Sequence, residues 1–292
     1  MSSKNKPFIP LTVPEIMHET FSANLNKATQ NSGKLFLFAA DQKMEHLNSD
    51  FYGHNIPKEC SSPEHLFQIA SKAPIGAFAT QLGLISQYGM DYKNINYVIK
   101  LNSKTNLIPT SQKDPLSTMM NFVSDVTEIQ EDTGLNIVGV GYTIYLGSEY
   151  ESHMLTEAAQ MVYEAHQNGL LAILWIYPRG KAVKNELDQN IVAGAAGVGS
   201  CLGADFVKVN FPEAKSIEDS AKQLKQSVLA AGKTKVICAG GKKKDEKTLL
   251  SEIESQIKIS GCSGCAIGRN IFQLPLNDAI KLCEKISKIV HG

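Results

Sequence analysis

"DFVKVNFP", residues 205–212, sets one lysine inside a stretch that otherwise reads as a buried strand. Strand side chains alternate between two faces. Val207, Val209 and Phe211 therefore share one face, while Phe206, Lys208 and Asn210 share the other. Lysine is rarely buried without a partner, and burial lowers its pKa by disfavouring the ammonium form. A single lysine in a strand also fits an exposed edge or an ion pair, so the segment must be read with its neighbours.

Seven further apolar segments recur along the chain. They are "LFLFAAD" (35–41), "GAFATQ" (76–81), "NYVIKLN" (96–102), "VGVGYTIY" (138–145), "LAILWIY" (171–177), "KVICAGG" (235–241) and "CAIGRN" (265–270). Amphipathic stretches lie between them, such as "ESHMLTEAAQMVYEAHQNG" (151–169), with apolar residues at helical spacing and Gly169 as a stop. Strand–helix alternation eight times over predicts an α/β chain folded as one (β/α)8 TIM barrel. A doubly wound open sheet is the rival, but its glycine-rich turn after the first strand is replaced by "AADQKMEH" (39–46). Residues 1–34 are expected to pack a helix against the barrel base, residues 35–275 to form the barrel, and residues 276–292 to close it with a helix.

In such a barrel one strand face meets the helices and the other the interior. Lys208 and Asn210 then point inward, as do Asp41 behind Leu37 and Ala39, and Tyr177 behind Ile173 and Trp175. Lys100 and Asn102 turn in together opposite Ile99 and Leu101, and Thr143 and Tyr145 follow Gly139 and Gly141. Several ionisable groups converge at the C-terminal end, where barrel enzymes build their sites. The long polar loops after strands one and three, residues 46–63 and 103–118, belong to that end.

A neutral amine in a dry pocket beside another cation suits Schiff-base catalysis. Lys100 supplies that cation, Tyr177 is a candidate to take a hydroxyl proton, and Asp41 to shuttle protons or hold the amine. After strands seven and eight come "AGGKK" (239–243) and "IGRN" (267–270). Barrels commonly bind phosphate there on glycine N–H groups, so Gly240, Gly241, Gly268 and Arg269 are candidate phosphate ligands. Metal ligation by Asp41, Glu45 and His46 is the rival use of the first loop, but no second histidine cluster accompanies it. No metal and no organic cofactor is expected, and no G-x-S-x-G turn is present.

Composition narrows the class further. The chain has 292 residues, 43% hydrophobic and 20% charged, with 29 basic against 29 acidic side chains. That balance lacks the basic footprint of a nucleic-acid binder, and the lysines at 242–244 read as a solvated helix start. Cys262 and Cys265 form a lone C-x-x-C and, like Cys60, Cys201, Cys238 and Cys283, read as core rather than zinc ligands. "MSSKNKPFIPLTV" at the amino terminus lacks a signal-peptide core. A cytoplasmic, soluble protein without membrane contact is the expectation.

The residues also resemble a known family, the archaeal-type class I fructose-bisphosphate aldolases. "AADQKMEH", "VIKLNSKTNL", "VGVGYTIYLGS", "LWIYPRG", "GADFVKVNFP", "AGGKK" and "CAIGRNIFQ" follow one another in the order of that family and cover nearly the whole chain. The resemblance implies a metal-independent lyase that reversibly cleaves fructose 1,6-bisphosphate into dihydroxyacetone phosphate and glyceraldehyde 3-phosphate, in glycolysis and gluconeogenesis. It implies Lys208 as the Schiff-base lysine, Tyr177 as general acid/base and Asp41 as the active-site aspartate. Trp175 then shapes the substrate channel. Gln42, His46, Lys100 and Arg179 join the substrate-binding set, and Gly240, Gly241, Gly268 and Arg269 the phosphate loops. A homo-oligomer is implied as well.

Two departures stand out: Gln42-Lys43 replaces a common His-Gly, and Lys242 replaces a common proline. Both bear on substrate length and the second phosphate. Related lysine-dependent synthases and a thiolase-like acyltransferase share the scaffold and remain the alternative reading, with a lapsed binding protein as a third. "NIVAGAAGVGSCLG" (190–203) fits either close helix packing or a subunit interface.

Overall fold

The computed structural model describes residues 8–46, 48–108, 111 and 113–292, apart from the side chain of Gln42. Eight parallel strands close into a barrel in chain order. They are β1 (Leu35–Ala39), β2 (Ala77–Thr80), β3 (Tyr97–Lys100), β4 (Ile137–Leu146), β5 (Leu171–Pro178), β6 (Phe206–Val209), β7 (Lys235–Ala239) and β8 (Gly264–Ile267). The ring is completed where β8 pairs with β1, with Gly264 beside Leu35 and Ile267 beside Phe38. This is the (β/α)8 architecture expected from the alternating segments.

Both faces of each strand are buried, which is why the segments read as near-continuous apolar runs. Leu35, Leu37, Val98, Leu171, Ile173, Phe206 and Ile237 fill the interior. Phe36, Phe38, Tyr97, Ile99, Leu174, Val207 and Val209 meet the surrounding helices. Lys208 therefore does share the interior face with Phe206. The helix His18–Thr29 adds Phe21, Leu25 and Ala28 to the interior cluster and closes the N-terminal pole.

Glycines decide two close approaches. A Cβ on Gly141 would stand 2.1 Å from the Trp175 ring, so the indole occupies the space that this residue leaves empty. A Cβ on Gly199 would meet Val207 at 2.8 Å. The small residues of Gln189–Cys201 thus let that helix sit tightly on the strand that carries Lys208.

Several boundaries differ from the sequence reading. Strand β1 stops at Ala39, β6 at Val209 and β8 at Ile267, because the chain leaves the ladder early to form the rim. Arg269 and Asn270 open a short helical turn, Arg269–Phe272, instead of ending a strand. The register between β3 and β4 shifts at Tyr97/Val98, a bulge the alternation did not reveal. Lys242–Lys244 precede the helix Glu246–Lys258, whose true cap is Asp245, accepting from the Thr248 N–H. Lys244 instead pairs with Glu252 at 2.5 Å. Cys238, Cys262, Cys265 and Cys283 are buried as free thiols, and Cys201 is exposed. Among the described residues, no helix is long and apolar enough to cross a membrane.

The long segment after β3 is anchored by one buried side chain. Asn102 donates to Ser117 O at 2.9 Å and Thr143 O at 2.8 Å, and accepts from the Thr143 N–H at 2.7 Å. It ties the rim segment to β4 at the height of the site. Removing the amide strands buried donors and acceptors, at about 1–3 kcal/mol for an unsatisfied group. Asn102→Ala should lower unfolding stability by roughly that amount in urea. An unchanged midpoint with an unchanged slope would show that the clamp contributes nothing.

Candidate active site

The C-terminal mouth gathers its polar groups from five strands. Lys208 lies beside Trp175 in the β5–β6 ladder, and Trp175 lies beside Thr143 in the β4–β5 ladder. The ammonium groups of Lys100 and Lys208 both face the Trp175 ring, 5.5 and 5.4 Å from its centroid. Lys100 is fully buried and Lys208 is 3% exposed. Two buried cations in one barrel need anions nearby.

Those anions come from the turn after β1, and both engage Lys100. Its Nζ donates to Glu45 Oε1 at 3.1 Å and Asn102 O at 2.8 Å, and stands 3.9 Å from Asp41 Oδ2. Glu45 also accepts from Ser103 at 3.2 Å. Lys208 makes no such contact: among the described residues, no carboxylate approaches its Nζ within 4.0 Å. Asp41 Oδ1, Thr143 Oγ1 and Trp175 Nε1 are buried without a hydrogen-bond partner among the described residues. Buried polar atoms are normally bonded, so these three retain hydrogen-bonding capacity.

Electrostatics follow from this allotment. Burial is the main cause that lowers the pKa of Lys208, and the Lys100 cation adds to it; the negative charges of Asp41 and Glu45 only partly oppose. The carboxyl of Asp41 is raised by burial, against the pull of Lys208 and Lys100. Tyr177, next to Tyr145 in the ladder, is pushed well above the usual phenol by burial and then by Asp41 and Glu45. The Arg179 guanidinium lies 5.7 Å from the Tyr145 ring and 5.9 Å from the Tyr177 ring. Its own partner is Glu186, at 3.0 Å.

The loops after β7 and β8 form one cup. Gly241 takes φ +67°, and a Cβ on Gly240 would press Ile267 at 2.8 Å. Asn270 shapes the turn from the other loop: it accepts from the Lys244 N–H at 2.9 Å and donates to Gly240 O at 3.3 Å and Lys242 O at 3.2 Å. Arg269 donates to Gly241 O at 3.4 Å and reaches Asp50 at 3.7 Å, while its Nε is buried without a partner among the described residues. Asp50 in turn binds His46 at 2.5 Å, linking the first loop to the last.

The sequence-derived set is thus split by geometry. Asp41, Lys100, Trp175, Tyr177 and Lys208 converge inside the mouth. Arg179 stands over the two tyrosines, half exposed. Gly240, Gly241, Gly268 and Arg269 make the cup, with His46 behind Asp50. The Gln42 side chain lies outside the described residues. Asp41, Glu45 and His46 do not turn toward one another as metal ligands, since Glu45 serves Lys100 and His46 serves Asp50. The role of Glu45 as the partner of Lys100 escaped the sequence reading, as did Asp50 and Asn270, whereas Tyr145 was placed inward by its parity.

Comparison with known proteins identifies relatives of the whole barrel. Residues 35–274 match the pattern of a family described as DeoC/LacD family aldolase. A protein of Methanocaldococcus jannaschii named fructose-bisphosphate aldolase/6-deoxy-5-ketofructose 1-phosphate synthase is 54% identical over 281 residues, 96% of this chain and 89% of that protein. The structure of a fructose-bisphosphate aldolase from Slackia heliotrinireducens superposes with a TM-score of 0.95 at 49% identity, over 99% of this chain and 91% of that one. An archaeal fructose-1,6-bisphosphate aldolase, whose catalytic lysine is covalently bound to the carbinolamine intermediate of its substrate, superposes with a TM-score of 0.79 at 29% identity. That match covers 93% of this chain and 100% of the other.

The cation beside Lys208 gives a prediction with a definite sign. Lys100→Met removes one cause that lowers the Lys208 pKa and frees two carboxylates that raise it. The pH at which Lys208 becomes reactive to cyanate, followed by peptide mass mapping, should therefore move upward. A shift to lower pH would show that Lys100 does not act on Lys208 as a positive neighbour.

Proposed function

We propose that this chain, which belongs to the DeoC/LacD family of aldolases, acts as a Schiff-base fructose-bisphosphate aldolase. One observation carries the reading. Lys208 is buried and left without a carboxylate within 4.0 Å among the described residues, while Lys100 takes the contacts with both nearby acids. A structural lysine would be paired; a nucleophilic amine must be able to lose its proton. The likeness to relatives named as fructose-bisphosphate aldolases supports the substrate class.

In this mechanism the neutral amine of Lys208 attacks the ketone carbon at position two of fructose 1,6-bisphosphate. The carbinolamine loses water and leaves an iminium, which draws in the electron pair of the bond between carbons three and four. Cleavage requires the proton of the carbon-four hydroxyl to leave, and Tyr177 takes it. Its raised pKa keeps Tyr177 a phenol at rest, the form that donates a proton in the condensation direction. In cleavage Tyr177 first passes its own proton, by way of Asp41, to the carbinolamine hydroxyl that leaves as water, and the phenolate so formed then takes the carbon-four proton. Asp41, beside both lysines, handles the proton of imine formation. The enamine left on Lys208 is then protonated, and hydrolysis releases dihydroxyacetone phosphate.

Trp175 walls the channel, Lys100 and Arg179 contact the substrate, and His46 acts through Asp50 beside the cup. The cup of Gly240, Gly241, Gly268 and Arg269 holds one phosphate through N–H groups and the guanidinium. The reading carries with it a cytoplasmic homo-oligomer that serves both glycolysis and gluconeogenesis.

A second reading rests on the second name of the Methanocaldococcus relative. Retro-aldol dissection of 6-deoxy-5-ketofructose 1-phosphate leaves dihydroxyacetone phosphate and methylglyoxal. The same Lys208 enamine needs only a different aldehyde acceptor to make it.

Borohydride with fructose 1,6-bisphosphate and EDTA should fix a triose-phosphate adduct on Lys208, located by mass mapping. No adduct from either the bisphosphate or dihydroxyacetone phosphate would sink the Schiff-base mechanism. Cleavage activity should survive EDTA, vanish in Lys208→Met, and fall roughly 10²–10⁴-fold in Tyr177→Phe, the usual weight of a general acid–base group. Full activity in Tyr177→Phe would reassign that proton to another group.

A further inference from the structure

The barrel has a second concavity, at the pole opposite the candidate active site. A cavity of about 770 Å³ opens between the N-terminal segment, the helix His18–Thr29 and the entries to β6 and β7. That volume lies within the roughly 300–1,000 Å³ typical of small-molecule sites. Phe8 and Leu11 supply its apolar surface, 55% and 103% exposed, while Phe21 and Phe206 lie behind the wall in the buried core. Large apolar side chains so exposed around a hollow point to something that covers them.

The polar part of the wall is cationic. Lys233 and Lys235 both line the cavity. The Lys233 ammonium lies 4.3 Å from the Phe8 ring centroid, and Lys235 spends one proton on Gly33 O at 3.0 Å. Each keeps N–H donors for a ligand. The acid in the same wall, Asp205, is already engaged by His166 at 3.2 Å and the Ala172 N–H at 2.8 Å. The exposed Phe8 ring and Leu11 beside two available ammonium groups select a flat apolar body with a negative group at one end.

We propose that this pole is a binding site for an aromatic organic anion, separate from the Schiff-base site. The two sites are back to back along β6: Phe206, at the strand's entry, backs this one, and Lys208, two residues on along the same inward face, belongs to the other. About 6.6 Å of strand separates them at the backbone. Occupants of the two poles therefore do not overlap.

The test uses the full chain and 8-anilinonaphthalene-1-sulfonate, with saturating inorganic phosphate to occupy the cup at the other pole. The expected result is saturable binding of one dye per chain. The uncharged analogue N-phenyl-1-naphthylamine should bind about tenfold more weakly. Lys233→Glu should weaken the sulfonate about tenfold and leave the uncharged analogue unchanged. Ser200→Phe, which drives a ring into the cavity from its wall, should abolish both. Each variant should retain the parent cleavage rate, since both residues line the pole opposite the Schiff-base site.

Absence of saturable binding overturns the proposal, as does binding that both variants leave intact. Displacement of the dye by fructose 1,6-bisphosphate overturns it too, because the dye would then sit at the active pole. A parent without dye binding whose assembly dissociates on Ser200→Phe, seen by sedimentation, would mean that a second copy covers this face. If Ser200→Phe does not fold, the charge reversal at Lys233 decides alone.

Discussion

The contact on which the site depends is the one made by Lys100, which is not the proposed nucleophile. In a barrel interior that paired two lysines with two carboxylates one to one, both amines would remain charged. Here the turn after β1 gives Lys100 the close contact with Glu45 and the longer one with Asp41, and Asn102 O completes its shell. Lys208 keeps only longer-range attraction, too little to offset burial. Lys100 thus acts twice, as a sink for negative charge and as a positive neighbour. The β1 turn and the rim after β3 are bound together by one ammonium group.

Trp175 converts that electrostatic arrangement into a shaped space. Its ring reaches over Gly141 because no side chain stands there, and both ammonium groups meet it within cation–π range. The two tyrosines on neighbouring strands stand one layer nearer to solvent, with Arg179 across them. Depth in the barrel therefore sorts the groups. The amines flank Trp175, the phenols follow one layer toward the C-terminal rim, and the loops after β7 and β8 lie beyond them.

Much of this was legible because strand parity is a local property. Alternation alone assigns Asp41, Lys100, Trp175, Tyr177 and Lys208 to one interior, and it needs no knowledge of the partner strands. Glu45 was not legible as the partner of Lys100, since a four-residue helical turn, Gln42–Glu45, redirects it after parity has ended. The chain His46–Asp50–Arg269 joins the first loop to the last, a proximity created only by closure of the ring. The strand ends and the bulge in β4 failed for a related reason: where a ladder stops depends on its neighbours. The cavity at the N-terminal pole has no motif at all, because it is a space left between elements.

Closure of β8 onto β1 also has a consequence for how the molecule is made. Leu35 waits for Gly264, so a ribosome must deliver most of the chain before the first strand finds its second neighbour. Until then β1 and the latest strand are raw edges, open to any passing backbone, and the inward lysines face water. The dry environment that lowers Lys208 is thus the last property to appear during synthesis. A nascent chain halted before Gly264 would carry the residues of the site without its chemistry.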